Sequence, residues 1–351
     1  MNKLKYLGLV FVLLLAIVLP VSVASADSDT EVRIMSRVAV ERDDDETEGR
    51  REPATSQQFT PLTGVLRSPK ADAKSYAIVI GSNYSSLPEG TVIPPFVPPF
   101  PTQLNWAEDD AIAMAGVLGG FDTVIPLIGP DATRANILAT IRQVKRLAED
   151  DDQVVFYYSG HGAQLLKADR AEGWGAASSG IVTDEGATVD FIWDKDLDRA
   201  FSDYETDRIV FIFDSCLSGG MTELSGQGRL VLSATTRDGI AAEDAAPGDP
   251  MNLGINHGFF TFFLLSAITG NGAQVDAMLS VIAGAEIQNP FGSAADAPVS
   301  MEQAFNYASW TLQAVSPLVY GGLELYYGPE IAEYWGTPTI VDRFRGDLLL
   351  Y

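Results

Sequence analysis

Cysteine and histidine are almost absent from this 351-residue chain, which has one cysteine, Cys216, and two histidines, His161 and His257. A single cysteine excludes an internal disulfide. Three such side chains also argue against a structural zinc site, which uses four cysteine or histidine ligands. A lone thiol is an oxidation liability outside the cell. We therefore expect Cys216 to perform chemistry rather than to be an inert buried thiol.

Basic residues are scarce as well, since 23 lysines and arginines stand against 47 acidic residues, for a formal net charge of −24. Such a chain repels nucleic acid and anionic membrane surfaces and attracts basic peptides. Most of this charge is typical of a solvated acidic surface. With 46% apolar and 20% charged residues, the composition predicts a globular protein with one large core or two modest ones.

Only one apolar run in the sequence approaches the length of a membrane span, and it lies at the N-terminus. Two lysines precede the run at residues 7–19, and Ala24-Ser25-Ala26 follows it. This order is typical of a secretory signal peptide at residues 1–26, with cleavage after Ala26, although the run also nears the length of an uncleaved anchor. We expect an exported protein with no further membrane segment.

The rest of the chain divides into a polar segment and a long body. Residues 27–72 carry charge without apolar periodicity, which predicts a disordered acidic pro-segment or linker. The body spans residues 73–351, and its last part, 271–351, is expected to extend the same body. The proline-rich stretch at 88–101 cannot be a helix or a central strand. It is a loop that packs on the body, covers a cleft or docks a partner.

Apolar runs of strand length alternate with helical periodicity through this body. Strands are predicted at 74–81, 121–128, 153–159, 180–183, 210–214, 229–234 and 337–350, and helices at 105–118, 131–150, 194–201, 258–268 and 301–315. The Gly- and Ala-rich residues 164–179 predict a mobile loop. The β-α-β-α-β order predicts an α/β fold with a mostly parallel sheet of about six strands and helices on both faces.

Two of these strands end in short polar turns that carry candidate reactive groups. Cys216 follows strand 210–214 and His161 follows strand 153–159. In open parallel sheets the ligand crevice lies outside the carboxyl ends of the strands, so both side chains face it. A thiol nucleophile needs an acid–base partner, for which we predict His161, and oxyanion donors, for which we predict the N–H groups of Gly162 and Cys216. His257 precedes a buried helix and fits a capping or core-edge role better.

The stretches Tyr157-Tyr-Ser-Gly-His-Gly162 and Phe213-Asp-Ser-Cys-Leu-Ser-Gly219 resemble paired motifs of the caspase-like cysteine peptidases. This is the caspase and metacaspase group, in a clan shared with legumain and gingipain. The similarity covers about residues 74–270, and the histidine precedes the cysteine by about 50 residues, as in caspases. Leu217 departs from the pattern, because metacaspases usually have histidine there. The resemblance implies a three-layer caspase-like fold and a cysteine-type endopeptidase.

The resemblance also implies a substrate pocket. Metacaspases bind Arg or Lys in an acidic pocket, and the matching positions here are Asp214 and Asp110, with Ser159 on the pocket wall. Carboxylates suit a cationic side chain by direct ion pairing. We therefore predict that the protein cleaves peptide and protein substrates after basic residues, and that it acts as a monomer.

Calcium is a further property of many metacaspases. The matching region holds Asp194, Asp196 and Glu223, but Lys195 occupies one ligand-like position. Calcium prefers six to eight oxygen ligands, so this set is a weak candidate, and we expect no cofactor to be required.

Family members often cut themselves. Arg50-Arg51, Arg67 and Lys70 lie in the predicted pro-segment, where nicking is easy, so we predict self-processing. Two alternatives stay open. One is a legumain-like protease or transpeptidase that prefers Asn, which residues 338–347 weakly resemble. The other is a catalytically inactive caspase-like module that binds partners through the proline-rich loop.

Overall fold

The computed structural model describes residues 38–39, 56–88, 91, 102–169, 173–292, 299–327 and 336–350. The described residues belong to one unit, residues 35–351. The predicted signal peptide, the pair Arg50-Arg51 and most of the proline-rich loop lie outside them. Within the described part of the chain, no helix has both the length and the apolar character that crossing a membrane requires.

The described residues form the following strands and helices. The strands are β1 Val38–Ala39, β2 Leu66–Arg67, β3 Ser75–Gly81, β4 Thr123–Ile128, β5 Gln153–Ser159, β6 Gly162–Asp169, β7 Gly173–Asp184, β8 Val189–Trp193, β9 Ile209–Asp214, β10 Arg229–Ser233, β11 Thr339–Asp342 and β12 Asp347–Leu348. The helices are α1 Ala107–Val117, α2 Arg134–Lys145, α3 Asp194–Phe201, α4 Phe259–Ile268, α5 Gly272–Ala283 and α6 Met301–Tyr327.

A six-stranded sheet in the order β11-β10-β9-β5-β3-β4 forms the centre of the fold. Its neighbouring strands are parallel except β11, which pairs antiparallel with β10. A smaller sheet in the order β1-β6-β7-β8 and a two-stranded pair of β12 with β2 complete the strands described. The prediction of a mostly parallel sheet of about six strands is confirmed.

Helices cover both faces of the central sheet. Successive residues of its strands point to opposite faces, so each strand contributes side chains to two core clusters. Val79, Tyr157 and Ile212 lie in one core cluster with residues of α1, α4 and α6. Phe156 and Phe211, from the same strands, lie in a second cluster with residues of α2 and α3. A strand buried on both faces reads as a continuous apolar run, which is why these strands are evident in the sequence.

The structure differs from the sequence prediction at several elements. Residues 164–179 are not a loop, because most of them belong to β6 and β7, which pair antiparallel. Helix α5 has no counterpart in the prediction, and the predicted last strand is two short strands, β11 and β12. Helix α2 ends at Lys145, and α6 continues to Tyr327.

Residues 56–72 lie within the predicted linker, and hydrogen bonds hold them on the body. The backbones of Gln57 and Ile340 pair with each other. Asp347 accepts bonds of 2.8 Å from the N–H groups of Thr63 and Gly64, and β2 pairs with β12. The domain boundaries themselves stay a prediction.

Candidate active site

The two turns that carry His161 and Cys216 meet at one edge of the central sheet. Strands β5 and β9 are neighbours in register, with Ser159 opposite Asp214. A Cβ placed on Gly162 would lie 1.8 Å from the carbonyl oxygen of Cys216. Only glycine fits an approach this close. The structure therefore brings the two predicted reactive residues together, with both predicted oxyanion donors on the touching segments.

His161 is buried and held from three sides. Its Nε2 lies 2.8 Å from the carbonyl oxygen of Thr102, and its ring stacks on Tyr84 at 4.8 Å between centroids. Its backbone N–H donates to Tyr84 Oη at 3.1 Å. A carbonyl only accepts hydrogen bonds, so Nε2 carries a proton, and in the neutral ring Nδ1 carries the lone pair. Burial lowers the pKa of His161 to about 4, so the ring is neutral at pH 7.

Cys216 is partly exposed and sits on a strained turn. Its Sγ–H donates to the carbonyl oxygen of Ala241 at 3.7 Å. Burial of the sulfur, with a smaller contribution from the charge of Asp214, raises the pKa of Cys216 to about 12. The next residue, Leu217, has a φ of +62°, a left-handed conformation that costs a non-glycine residue roughly 1–2 kcal/mol. The turn therefore presents a protonated thiol at the sheet edge.

At neutral pH the thiol and the imidazole are thus both uncharged and are not a preformed ion pair. A thiol of raised pKa is a weak nucleophile until a base removes its proton. A neutral histidine with a lone pair on Nδ1 is a base of the required kind. The arrangement suits proton transfer that is coupled to attack on a substrate.

The three residues predicted for the substrate pocket also lie together. Ser159 Oγ donates to Asp110 Oδ2 at 2.9 Å. A Cβ placed on Gly258 would lie 2.5 Å from Asp214 Oδ2 and 2.8 Å from Asp110 Oδ2, so both carboxylates converge on this glycine. Thr261 donates to Asp214 Oδ2 through its N–H at 2.9 Å and its Oγ1 at 2.7 Å.

Burial makes this cluster of carboxylates electrostatically unfavourable. Burial and, to a smaller extent, the negative charge of Asp110 together raise the pKa of Asp214 to about 7. Burial also raises the pKa of Asp110, while the hydrogen bond from His257 opposes the shift. Two acids that resist ionising together are stabilised by a cation placed between them.

Sequence reasoning missed two residues of this cluster, His257 and Glu243. His257 Nδ1 lies 2.8 Å from Asp110 Oδ1, so it belongs to the acidic pocket and not only to the start of helix α4. Glu243 accepts the N–H groups of Asn105 and Trp106 at 2.8 and 3.0 Å, and burial raises its pKa to about 7. Both contacts join residues more than 100 positions apart, and no local pattern signals them.

Two of the three weak calcium candidates contact other groups of the protein. Asp194 is buried, and it accepts hydrogen bonds from Ser178 Oγ and from the N–H of Lys195. Asp196 pairs instead with Arg134 and Arg199. Within the described residues no group of three or more histidine, cysteine, aspartate or glutamate side chains is arranged to hold a metal ion. That no cofactor is required stays a prediction.

One comparison with known protein families matches the segment that carries both turns. Residues 126–225 match the family model described as "Metacaspase, peptidase C14 domain". No curated protein matches the chain. Among solved structures, the chain is similar to protein GSU0716 from Geobacter sulfurreducens, with 18% identity, a TM-score of 0.41, and coverage of 60% of this chain and 89% of that one. The matched segment contains β5, His161, β9 and Cys216, so the part of the chain that carries both turns is similar to a metacaspase peptidase domain.

Proposed function

We propose that the protein is an exported cysteine endopeptidase that cleaves peptide bonds after Arg or Lys. In this proposal Cys216 is the nucleophile and His161 is the acid–base residue. The backbone contact between Gly162 and Cys216 is the observation that carries it, because it holds a thiol and a neutral imidazole at one sheet edge. The match to a peptidase family over the same residues supports the reaction type.

The reaction uses the side chains in two half-reactions. His161 Nδ1 takes the thiol proton as Sγ bonds to the scissile carbonyl carbon, whose oxygen becomes the oxyanion. The N–H groups of Gly162 and Cys216 are the proposed donors to that oxyanion. The imidazolium then protonates the leaving amine as the C–N bond breaks. In the second half, His161 takes a proton from water as the water oxygen bonds to the carbonyl carbon of the thioester. The C–S bond then breaks, the carboxylic acid leaves, and His161 returns the proton to the sulfur.

Specificity rests on the carboxylates that converge on Gly258. Asp214 is the last residue of β9 and lies two positions before Cys216, so a substrate that reaches the sulfur has its preceding side chain near Asp110 and Asp214. A guanidinium or ammonium group there supplies the positive charge that the buried acids lack. A neutral Asn side chain does not.

A fluorogenic peptide panel that varies only the residue before the cut tests this proposal. We expect Arg and Lys substrates to be cleaved and Asn and Asp substrates to be spared, with no loss on addition of a chelator. Cys216→Ala is the matched inactive control. Asn cleavage would favour the legumain-like alternative. An Arg-based covalent inhibitor that leaves no mass adduct on Cys216 would favour an inactive binding module.

Export and self-processing are parts of the same proposal. Arg67 lies in β2, where its carbonyl oxygen accepts a bond from Arg208 Nη2 at 2.9 Å, and Lys70 pairs with Asp151. A cut after either residue requires that these contacts open first, so we propose Arg50-Arg51 as the favoured site. Sequencing the N-terminus of wild type and Cys216→Ala after secretion tests this. An identical N-terminus on both proteins would contradict self-processing.

A further inference from the structure

We infer that His257 is a specificity-determining residue of the acidic pocket. It donates a hydrogen bond to Asp110, so that the cationic side chain of a substrate binds to Asp214 alone. The inference rests on the proposed cleavage after basic residues and adds how far the pocket distinguishes Arg from Lys.

His257 is the surface member of an otherwise buried cluster. Its side chain is 23% exposed, whereas that of Asp110 is 1% exposed. The ring is fixed on a second side by stacking against Phe262, at 6.2 Å between centroids and 23° between planes. Because Nδ1 donates to Asp110 at 2.8 Å, a substrate side chain that approaches this carboxylate from solvent meets the imidazole first.

Asp110 has no acceptor position to spare once His257 is in place. Its Oδ1 accepts from His257 Nδ1 and from the N–H of Gly258 at 3.0 Å. Its Oδ2 accepts from Ser159 Oγ at 2.9 Å and also lies 3.2 Å from the N–H of Gly258. Both oxygens are therefore occupied by the protein's own donors.

Asp214 is arranged differently. Thr261 directs its backbone N–H and its Oγ1 to the same oxygen, Oδ2. Among the hydrogen bonds of the described residues, none reaches Asp214 Oδ1. One carboxylate oxygen of the pocket thus remains for a ligand, beside the carboxylate that His257 already satisfies.

A single open oxygen does not distinguish Arg from Lys. The advantage of Arg lies in its planar fork, which donates two parallel hydrogen bonds, whereas Lys acts as a point charge. With His257 present, both side chains make one charged contact to Asp214. Removing the imidazole frees Asp110 Oδ1, and the two arms of the Arg guanidinium can then contact both carboxylates. The single ammonium group of Lys gains less binding energy from the second carboxylate.

The experiment compares kcat/KM for matched Arg and Lys peptides in wild type, His257→Ala and His257→Asn. Three acidic groups face His257, and they raise its pKa above the ordinary value: Asp110, Asp109 and Asp214. The experiment is run at pH 8.5, because protonation of His257 at a lower pH would also change the ratio. Asn places an amide donor where Nδ1 was and keeps Asp110 occupied. The ratio of two substrates on one enzyme does not depend on how much enzyme is folded.

We expect a wild-type Arg-to-Lys ratio near one, an increase of about tenfold in His257→Ala, which is the effect of one charge-assisted hydrogen bond, and a wild-type ratio in His257→Asn. An unchanged ratio in His257→Ala, or the same increase in both variants, would overturn the inference while leaving the proposed function intact. A wild type that cleaves neither peptide would instead overturn the proposed function, and the inference with it.

Discussion

Gly162→Ala tests the contact on which the proposed active site depends. The added Cβ would lie 1.8 Å from the carbonyl oxygen of Cys216, whereas real Cβ atoms essentially never come within 3.0 Å of such an atom. One of the two turns must therefore move by more than 1 Å. The obstacle is backbone, which cannot rotate away as the end of a flexible side chain can.

A displacement of about 1 Å between reacting groups costs about 100-fold in rate. Overpacking of this kind also lowers the free energy of unfolding by about 1–3 kcal/mol. We expect kcat for an Arg peptide to fall about 100-fold, measured per active site by titration with an Arg-based covalent inhibitor. Gly116→Ala is the matched control, because a Cβ at this exposed helical glycine of α1 has no neighbour within 4 Å.

For Gly116→Ala we expect wild-type kcat and a gain of roughly 0.5–1 kcal/mol in the free energy of unfolding, since alanine is the better helix former. A Gly162→Ala protein with wild-type kcat and a wild-type melting temperature would refute the reasoning. It would mean that the turns of His161 and Cys216 do not constrain each other.

Three more predictions concern the buried acids and the docked N-terminal segment. Asp214 must be ionised to bind a cation and its pKa is about 7, so kcat/KM for Arg peptides should fall on acidification through pH 7. Buried acids with raised pKa values, among them Glu302 at about 8, bind protons more tightly in the folded protein than in the unfolded chain. Their stabilisation is complete below the unfolded pKa and is lost as pH rises through the folded pKa, so the melting temperature should fall from pH 5.5 to 8.5. Glu302→Gln, distant from the site, should reduce that fall without changing kcat. Asp347→Ala removes three hydrogen bonds to Thr63 and Gly64, and trypsin should then cut after Arg67 at least about tenfold faster, the effect of losing 1.4 kcal/mol of local stability. A pH-independent kcat/KM would contradict the first prediction, a melting temperature that does not change with pH the second, and unchanged trypsin cleavage the third.

The parts of the fold that the sequence predicts are those whose burial pattern is local. Strands β3, β5 and β9 are buried along their whole lengths and read as continuous apolar runs. Helix α3 matches its predicted bounds because Leu197 and Phe201 form one apolar face. The Gly- and Ala-rich strands β6 and β7 carry no such signal. Their conformation follows from pairing with each other, which is a tertiary contact.

The same distinction separates the parts of the site. His161, Cys216 and Asp214 lie at the ends of recognisable strands, so the sheet places them without further information. Glu243 and His257 come from the loop that precedes α4, and their contacts with Asn105, Trp106 and Asp110 are long-range. Helix α1 shows the effect clearly, because its N-cap residue, Trp106, makes no side-chain cap. Asn83 Oδ1 accepts the N–H of Glu108 in the first turn instead, and Glu243, more than 130 residues away, accepts the N–H groups of Asn105 and Trp106 just before the helix.

The proposed catalytic pair and the acidic pocket both depend on burial, but burial acts on them in opposite ways. At His161 it lowers the pKa to about 4 and keeps a lone pair on the base at neutral pH. At Asp214 it raises the pKa to about 7 and holds the pocket on the verge of protonation. In the proposed function a basic substrate side chain supplies the positive charge that ionises Asp214, so substrate binding would change with pH near 7, where His161 stays neutral. The fall of kcat/KM on acidification therefore measures the ionisation of Asp214, and the pH dependence of kcat at saturating substrate measures the protonation of His161 and Cys216.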